Sequence, residues 1–337
     1  RDVLNVNNEK NNIYAAYNPI KRSTELINSL LSIFIYYYDY LRNNKPDIII
    51  SRNIFSSFFF SHFTNTKIIY ETHLPEKGFR KYIQRKLFLK KKLKKILISN
   101  KLKEIICNHH NLYDLENIII LHDAGTRIYK NTDKLFETKK LEILLNKQKL
   151  NKNYQACIGY FGHLYEGRGI ELIKKIATMR QESAFFIFGG SEKDIIKNKR
   201  KNHPKNFFIM GHVKQSEAIE IMKKMDILLM PYQKKVSVGI KNSDTSKWMS
   251  PIKLFEYMSS NVPIISSDLP VLREVLVNNK NAFLVEPDNA YSWSNTIKRI
   301  INNKILGKNI SNTSYNQYKK NFTWSIRVKR IISFLND

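Results

Sequence analysis

Residues 158–169 read IGYFGHLYEGRG and join an apolar run, a glycine-rich loop and the start of an amphipathic run. The pattern predicts a buried strand, a tight loop and a helix. Glycines let backbone N–H groups approach a ligand closely, and a helix N-terminus adds N–H donors and a partial positive charge. Arg168 lies at this helix start, where the partial positive charge of the helix repels a cation. A bound anion that contacts both Arg168 and the helix N-terminus would remove this conflict. The stretch therefore predicts an anion-binding loop, with a tight turn and a solvated arginine as the alternative.

The same alternation of short apolar runs and longer amphipathic runs extends along the chain. Strands are predicted at 47–51, 67–70, 96–99, 117–121, 156–161, 184–188, 207–210, 227–230, 263–266 and 282–285. Helices are predicted between most of them, as at 169–179, 216–224, 251–259 and 291–302. Alternating strands and helices predict an α/β fold with parallel sheets, whose ligands bind at the carboxyl ends of the strands.

The length of 337 residues suits two α/β domains with separate cores. The polar stretch 139–154 separates two sets of strands, so we expect one domain over residues 1–150 and a second from residue 151. The apolar run 30–38 is too short to span a bilayer and predicts a core helix. Because the chain begins with Arg1, we expect its N-terminal start to be incomplete.

The formal net charge is +28, which favours anionic partners. The sequence is also dense in Lys, Asn and Ile, the residues that AT-rich codons supply, so codon bias accounts for part of this charge. A nucleic-acid-binding protein would explain the charge but not the ordered motifs of the C-terminal half. We therefore expect no nucleic-acid partner.

The cysteines and the carboxylates give no metal-site pattern. Cys107 and Cys157 lie far apart in apolar segments, which predicts reduced thiols and a cytoplasmic location. The run Cys107-Asn108-His109-His110 fits no standard zinc spacing, and no Asp-X-Asp pair occurs in the sequence. We expect no metal and no other cofactor.

A second helix start with a cation is predicted within SPIKLFE at residues 250–256. Ser250 is predicted as the N-cap and Pro251 as the first helical residue. Lys253 places a cation in the first turn, and Glu256 shares its helix face. A carboxylate behind a phosphate-binding turn can accept hydrogen bonds from vicinal hydroxyls, as on a ribose. The two helix starts together predict a diphosphate site, whereas a Lys–Glu surface pair is the alternative for the second.

The C-terminal half resembles family 4 glycosyltransferases, which have the GT-B fold. The resemblance rests on GHLYEGRG at 162–169, FGG at 188–190, GHV at 211–213, SPIKLFEYM at 250–258 and PIISSDLPVLREVL at 263–276. It implies two Rossmann-like, doubly wound domains that face a cleft. FTWS at 322–325 resembles the start of a terminal helix that crosses back to the N-terminal domain. The implied limits are 1–150, 151–312 and 313–337.

The resemblance implies a retaining transfer of a hexosyl-type sugar from a nucleoside-diphosphate (NDP) sugar to a hydroxyl acceptor, without a required metal. His163 and Arg168 match the two positions at which the family places cations facing the diphosphate. Glu256 matches the second glutamate of the family's paired-Glu motif, which binds the donor ribose. The implied donor-binding residues are Gly162, His163, Arg168, Gly189, Val213, Ser250, Pro251, Ile252, Lys253 and Glu256.

The predicted catalytic residues are His73, Arg168 and Lys253, of which Arg168 and Lys253 would stabilise the charge of the leaving diphosphate. His73, within IYETHLP at 69–75, matches the segment that carries the family's active-site histidine, and a structural histidine is the alternative. The first glutamate of the paired motif should lie eight residues before Glu256, where this chain has Trp248. Asp244 is then a candidate contact to the donor sugar.

The basic segment 77–103 interleaves apolar and cationic side chains at roughly helical spacing. A basic amphipathic helix can bind an anionic membrane surface. We therefore expect a glycan or lipid-linked acceptor, and a cytoplasmic protein that can bind the inner face of the cytoplasmic membrane. A helix packed on its sheet with solvated lysines is the alternative.

Two related functions stay open from the sequence. A sugar-nucleotide-binding GT-B protein without catalytic activity would fit Trp248, and it would show binding without turnover. A GT-B sugar-nucleotide epimerase would convert the donor with no acceptor present.

Overall fold

The computed structural model describes residues 25–42, 45–113, 115–125, 154–199, 203–239 and 243–336. Within these ranges strands and helices alternate as predicted. The strands are β1 (Ile48–Ser51), β2 (Lys67–Thr72), β3 (Lys94–Leu97), β4 (Ile118–Ile120), β5 (Ala156–Phe161), β6 (Ser183–Phe188), β7 (Phe207–Gly211), β8 (Ile227–Met230), β9 (Ile264–Ser267) and β10 (Phe283–Val285). The helices are α1 (Glu25–Leu41), α2 (Ile54–Phe63), α3 (Gly78–Leu89), α4 (Asn100–His110), α5 (Ile170–Met179), α6 (Glu192–Lys199), α7 (Gln215–Met222), α8 (Ile252–Ser260), α9 (Ala290–Asn302), α10 (Lys304–Asn321) and α11 (Trp324–Asn336).

Two sheets contain the described strands. The first has the order β1-β2-β3-β4, and the second has the order β10-β9-β8-β5-β6-β7. The pairs of the second sheet are parallel. The chain runs outward from β5 through β6 to β7 and then returns to the other side of β5 at β8. The carboxyl end of β5 therefore lies at a topological switch point, where sheets of this kind bind ligands.

The core of the second sheet is covered on both faces. Every residue of β5 and β6 is buried, which explains why these strands read as continuous apolar runs rather than alternating ones. Successive side chains of a strand point to opposite faces. Accordingly Phe186 and Phe188 belong to one hydrophobic cluster, whereas Phe185 and Ile187 belong to the other.

Asparagine has a structural use in this chain. The non-glycine residues with positive φ in the described part of the chain are all asparagines, at positions 111, 117, 261 and 279. Other asparagines cap helices: the side chains of Asn53, Asn289 and Asn303 accept hydrogen bonds from backbone N–H groups in the first turns of α2, α9 and α10. Asparagine, which is abundant in this chain, therefore also accepts hydrogen bonds from backbone N–H groups at helix starts and adopts the left-handed conformation.

The described residues form two compact units. The first comprises 25–72, 76–95 and 115–117, and the second comprises 73–75, 96–113, 118–125 and 154–336. The domain boundary predicted at residue 150 lies outside the described residues, so the domain limits stay a prediction. Residue 313, the predicted start of the terminal segment, lies inside α10, and α11 begins at Trp324 within the FTWS segment.

The prediction of a core helix over residues 30–38 is only partly right. These residues lie in α1, where Ile33 is buried, but Phe34 is 72% exposed and Leu30 is 56% exposed. The run is apolar around much of the helix, and one stripe of a helix suffices to pack against a neighbour such as α2. The described helices include none that is long and apolar enough to cross a membrane.

The basic segment 77–103 is not one helix, and β3 begins earlier than predicted. The segment contains α3, β3 and the start of α4. The strand starts at Lys94 because the aliphatic part of Lys95 is buried while its Nζ donates to the Lys90 carbonyl at 2.8 Å and the Glu116 carbonyl at 3.2 Å. Burial, opposed by the charge of Glu116, lowers the pKa of Lys95 to about 8. Two adjacent lysines therefore hid the strand start in the sequence pattern.

Glu274 supports the start of α4. It ends a short 3₁₀ turn, Leu272–Glu274, and its carboxylate accepts from the backbone N–H groups of Asn100 at 2.7 Å and Lys101 at 2.8 Å. Ser99 adds the N-cap, because its hydroxyl accepts from the Leu102 N–H at 3.0 Å. A carboxylate at a helix N-terminus pairs orphan donors and interacts favourably with the dipole.

We expect Glu274→Ala to lower the free energy of unfolding by about 1–3 kcal/mol, because two charge-assisted hydrogen bonds are lost, one of them partly buried. Denaturant titration measures the change. Glu104→Ala is the control, since this exposed carboxylate of α4 pairs with Lys101 at the surface and its loss costs under about 1 kcal/mol. Equal effects of the two substitutions would refute the capping role of Glu274.

Candidate active site

Three loops meet at the carboxyl ends of β5, β6 and β7. The Gly162 N–H donates to the Phe188 carbonyl at 2.9 Å, and the Gly189 N–H donates to the Gly211 carbonyl at 2.6 Å. A Cβ added to Gly189 would collide with the carbonyl oxygen of Gly162. The backbones of the predicted loop and of the FGG segment therefore touch, and glycine is required at the contact.

Lys253 brings its ammonium group to this contact from the first turn of α8. A Cβ on Gly162 would lie 2.5 Å from the Lys253 Nζ atom. The residue as a whole is half-buried, but Nζ itself is inaccessible and has no hydrogen-bond partner among the described residues. Burial and then the charge of Arg168 lower the pKa of Lys253 well below its ordinary value, while the charge of Glu256 raises it. A buried ammonium without an acceptor is costly, so the site favours an anion.

Arg168 supplies the second cation, directly before α5. Its Nε donates to the Ser237 carbonyl at 3.2 Å, and its Nη1 donates to the Tyr232 hydroxyl at 3.1 Å. The helix that follows has Gly169 at its N-cap position, with φ of 83° and no side-chain cap. Arg168 is therefore fixed beside a helix N-terminus that keeps its N–H donors, as the sequence predicted.

His163 follows the Gly162 contact and stacks on Tyr165, with ring centroids 4.7 Å apart and an interplanar angle of 3°. Burial, followed by the charges of Arg168 and Lys253, lowers the pKa of His163. The imidazole is therefore neutral at neutral pH. A bound anion would oppose the effect of the two cations and favour its protonation.

The start of α8 differs from the prediction by one residue. The N-cap position is Pro251, in an extended conformation, and the helix begins at Ile252 without a side-chain cap. Ser250 was predicted as the cap, but its hydroxyl instead accepts from the Asp123 N–H at 2.8 Å. The prediction of Ser250 as the N-cap was wrong because a serine before a proline can also form its hydrogen bond with a residue outside the helix, here Asp123. The consequence is a second helix N-terminus without a side-chain cap.

Glu256 lies one turn after Lys253, as the i,i+3 spacing predicted. The Gln215 Nε2 atom donates to the Glu256 Oε1 atom at 2.6 Å. Val213, in the loop between β7 and α7, is partly buried and packs against the hydrophobic core. The hydrogen bond from Gln215 holds the Glu256 carboxylate, whose second oxygen can accept a hydrogen bond from a hydroxyl group.

Three other predicted residues have different surroundings. The Asp244 Oδ1 atom accepts from the backbone N–H groups of Val236 and Ser246, each at 3.0 Å, so this carboxylate holds its own loop together. Trp248 is partly buried, and its carbonyl accepts from the Ser99 hydroxyl at 2.9 Å. His73 directly follows β2 and is partly buried. The contact to the sugar and the catalytic role of His73 stay predictions.

Three side chains at this site were not predicted from the sequence. Tyr160 and Tyr232 lie against the cations, and Gln215 binds Glu256. Both tyrosines lie in or next to apolar runs and read as core, and Gln215 begins an ordinary amphipathic helix. In the described part of the chain, no group of three His, Cys, Asp or Glu is placed to hold a metal ion.

A family model described as glycosyl transferases group 1 matches residues 142–317, just over half of the chain. The range contains both helix starts of the site. A stretch of 69 residues is 41% identical to the O-antigen chain mannosyltransferase RfbU of Salmonella typhimurium. That stretch covers 20% of this chain and only 18% of RfbU.

Solved structures resemble most of the chain. The glycosyltransferase of Rickettsia africae has a TM-score of 0.69 at 17% identity, over 94% of this chain and 82% of that chain. Anabaena HepE in complex with UDP has a TM-score of 0.68 at 14% identity, over 92% of this chain and 82% of that chain. At such identities the likeness shows the fold, which is GT-B with two parallel-sheet α/β units, as predicted.

We expect Lys253→Met to raise the free energy of unfolding by about 1–2 kcal/mol, because an apolar side chain of similar length replaces a buried ammonium. The pKa of Lys253 is lower in the folded protein than in the unfolded chain. The charged side chain therefore destabilises the wild-type protein fully at a pH below the folded-state pKa, and this destabilisation disappears as the pH rises to the unfolded-state pKa. Denaturant titrations across this pH range measure both effects.

Lys174→Met is the matched control. Lys174 is also a mostly buried lysine of this unit, but its Nζ pairs with Glu171 at 3.1 Å. Its loss should leave stability unchanged or lower it. A Lys253→Met variant that is less stable than wild type at neutral pH would show that the ammonium is well accommodated without a ligand.

Proposed function

The chain belongs to the glycosyl transferases group 1 family, and we propose that it is a retaining family 4 enzyme that uses a nucleoside-diphosphate sugar. The observation that carries this proposal is the buried Lys253 ammonium, which has no acceptor among the described residues and lies near Arg168. The donor would transfer a hexosyl group to a hydroxyl of a glycan or a lipid-linked acceptor.

A nucleoside diphosphate fits the arrangement of charges. Lys253, Arg168 and two helix N-termini without side-chain caps face one edge of the sheet, and a diphosphate supplies the missing negative charge. Glu256 lies within coulombic reach of Lys253 and offers a carboxylate oxygen for the ribose hydroxyls. Crystal structures of the similar protein HepE with UDP support this class of ligand.

The same cations serve the chemistry that we propose. The bond between the anomeric carbon and the diphosphate oxygen breaks, and the acceptor oxygen bonds to that carbon on the same face. The acceptor proton leaves on the diphosphate. Lys253, Arg168 and the helix N-termini stabilise the charge that develops on the leaving group, so this step uses no metal. His73 would contact the sugar or the acceptor.

The similarity to RfbU and the surface of α3 bear on the sugar and on the acceptor. The short similarity to an O-antigen chain mannosyltransferase supports a hexosyl donor and a glycan acceptor. In the first unit, α3 exposes Phe79 at 72% and Tyr82 at 56% next to exposed Lys77, Arg85 and Lys86, while Ile83 and Leu87 are buried. An exposed apolar and basic face of this kind supports binding to an anionic lipid surface.

A second candidate is a sugar-nucleotide-binding protein without catalytic activity. Trp248 in place of the first motif glutamate favours it, since Asp244 uses an oxygen to hold its own loop. This protein would bind the same nucleotides but would not transfer the sugar.

We expect one nucleoside diphosphate out of UDP, GDP and ADP to raise the melting temperature of the wild-type protein, because it binds the native state. Lys253→Met should weaken that binding at least about tenfold, as one charge-assisted contact is lost. Titration calorimetry measures both affinities. Since this variant is expected to be more stable, weaker binding cannot be attributed to unfolding.

Lys298→Met is the control, since it removes an exposed lysine of α9 and should bind like wild type. No binding of any of the three nucleotides by folded wild-type protein would overturn the donor site. Binding of the matching NDP-sugar without transfer of its sugar to water or to an acceptor would favour the second candidate. NMR of the product anomer then tests retention.

We expect nucleotide binding to take up a proton above pH 7, where the phosphates are already ionised. The diphosphate raises the pKa of Lys253 from its lowered ligand-free value. Affinity therefore falls as pH rises between the ligand-free and the bound pKa. Calorimetry in buffers of different ionisation enthalpy measures the uptake, which Lys253→Met should reduce to the share that His163 contributes. Equal uptake by both proteins would contradict the assignment to Lys253.

A further inference from the structure

Two tyrosines that the proposed mechanism does not use lie against its cations. Tyr160 is the last residue but one of β5, and Tyr232 follows β8 by two residues. Both are only 1% exposed. The Tyr160 ring centroid lies 4.0 Å from the Lys253 Nζ atom. The Tyr232 centroid lies 5.2 Å from the same Nζ atom and 5.1 Å from the Arg168 Cζ atom.

The electrostatics of the site require such support. Arg168 and Lys253 repel each other, and burial removes the water that would otherwise screen them. A ring face attracts a cation, and the attraction strengthens when the pair is desolvated. Tyr232 contacts both cations, so a single ring interacts favourably with two groups that repel each other.

A ring holds an ammonium differently from a carboxylate. A carboxylate would accept N–H hydrogens, neutralise the charge and compete with a phosphate for the same donors. A ring face neither neutralises the charge nor offers a conventional acceptor that competes with a phosphate, in keeping with the lack of a hydrogen-bond partner for the Lys253 Nζ atom in the described structure. The tyrosines therefore hold the Lys253 ammonium in place without neutralising its charge.

The hydroxyl groups connect the rings to the rest of the site. The Tyr160 hydroxyl donates to the His163 carbonyl at 2.7 Å, and the Tyr232 hydroxyl accepts from Arg168 Nη1 at 3.1 Å. Burial raises the pKa of both phenols, so neither adds a negative charge beside the cations at ordinary pH. Tyr160 therefore joins Lys253 to the backbone of the anion-binding loop, and Tyr232 contacts both cations.

We propose that Tyr160 and Tyr232 are positioning residues, whose ring faces hold Lys253 and Arg168 for a diphosphate without supplying an acceptor that competes with it. This role rests on the proposed donor site. It adds two residues outside the quoted family motifs to the machinery that recognises the diphosphate.

The test is a double-mutant cycle with UDP as the probe, replaced by GDP or ADP if that is the nucleotide that the wild-type protein binds, and calorimetry or competition NMR as the readout. Tyr160→Leu, which removes the ring, should weaken UDP binding about tenfold, whereas Tyr160→Phe, which keeps the ring, should weaken it about threefold or less. In the Lys253→Met background, Tyr160→Leu should add less than about twofold, because the ring then has no cation to hold. Tyr232→Leu should lose its effect only when Arg168→Met and Lys253→Met are combined, because this ring contacts both cations.

Phe185→Leu is the matched control, because Phe185 is a fully buried ring on the neighbouring strand and in the same hydrophobic cluster as Tyr160. It should keep UDP affinity within about twofold. Equal weakening by Tyr160→Leu in the wild-type and Lys253→Met backgrounds would overturn the positioning role alone. Absence of UDP, GDP and ADP binding to wild type would overturn the donor site together with this role.

A measurement without ligand keeps the inference testable if Tyr160→Leu does not fold. In protein labelled with ¹³C at lysine Cε, the resonance that disappears in Lys253→Met should be displaced upfield by the ring current of Tyr160. The displacement should persist in Tyr160→Phe. An undisplaced Lys253 resonance in the wild-type protein would overturn the stacking on which the proposal depends.

Discussion

The placement of a buried lysine ammonium beside an arginine is the constraint on which the site depends. Lys253 Nζ has no acceptor among the described residues, and Arg168 adds a second positive charge. Such a pair is unfavourable in the absence of a ligand. It persists because a GT-B core of buried parallel strands holds β5 and β8, and these strands fix both tyrosines and both helix starts. The stability of the core thus maintains a locally unfavourable arrangement that a diphosphate can relieve.

The position of the site follows from strand order. The chain reverses direction of winding at β5, so the loops after β5, β6 and β7 converge with the start of α8 at one edge of the sheet. Gly162 and Gly189 make the convergence close enough for backbone contact. The same contact leaves room for the end of Lys253, so the packing of the loops also fixes where the positive charge can lie.

The sequence predicts what depends on local patterns and misses what depends on tertiary contacts. Buried parallel strands read as apolar runs, so the strands of the second sheet were found within one or two residues. The start of β3 was missed because Lys95 satisfies its ammonium on carbonyls that are distant in the sequence or across a turn. Ser250 was misassigned because its partner, Asp123, is 127 residues away. The role of Tyr232 beside two cations has no signal in the sequence, since an aromatic residue after a strand reads as core.

The net charge of +28 and the charge of the site are separate properties. Salt largely screens the interactions of exposed lysines with charges more than about 10 Å away. The Lys253 ammonium is buried, so its interactions are screened much less. Only interactions that strengthen as the glycosidic bond breaks accelerate the reaction. The diphosphate gains negative charge at that moment, and cations fixed by rings need no rearrangement to respond to it. A neutral sugar or nucleoside gains nothing from the same cations, so the arrangement that binds the donor through its diphosphate also favours departure of that diphosphate.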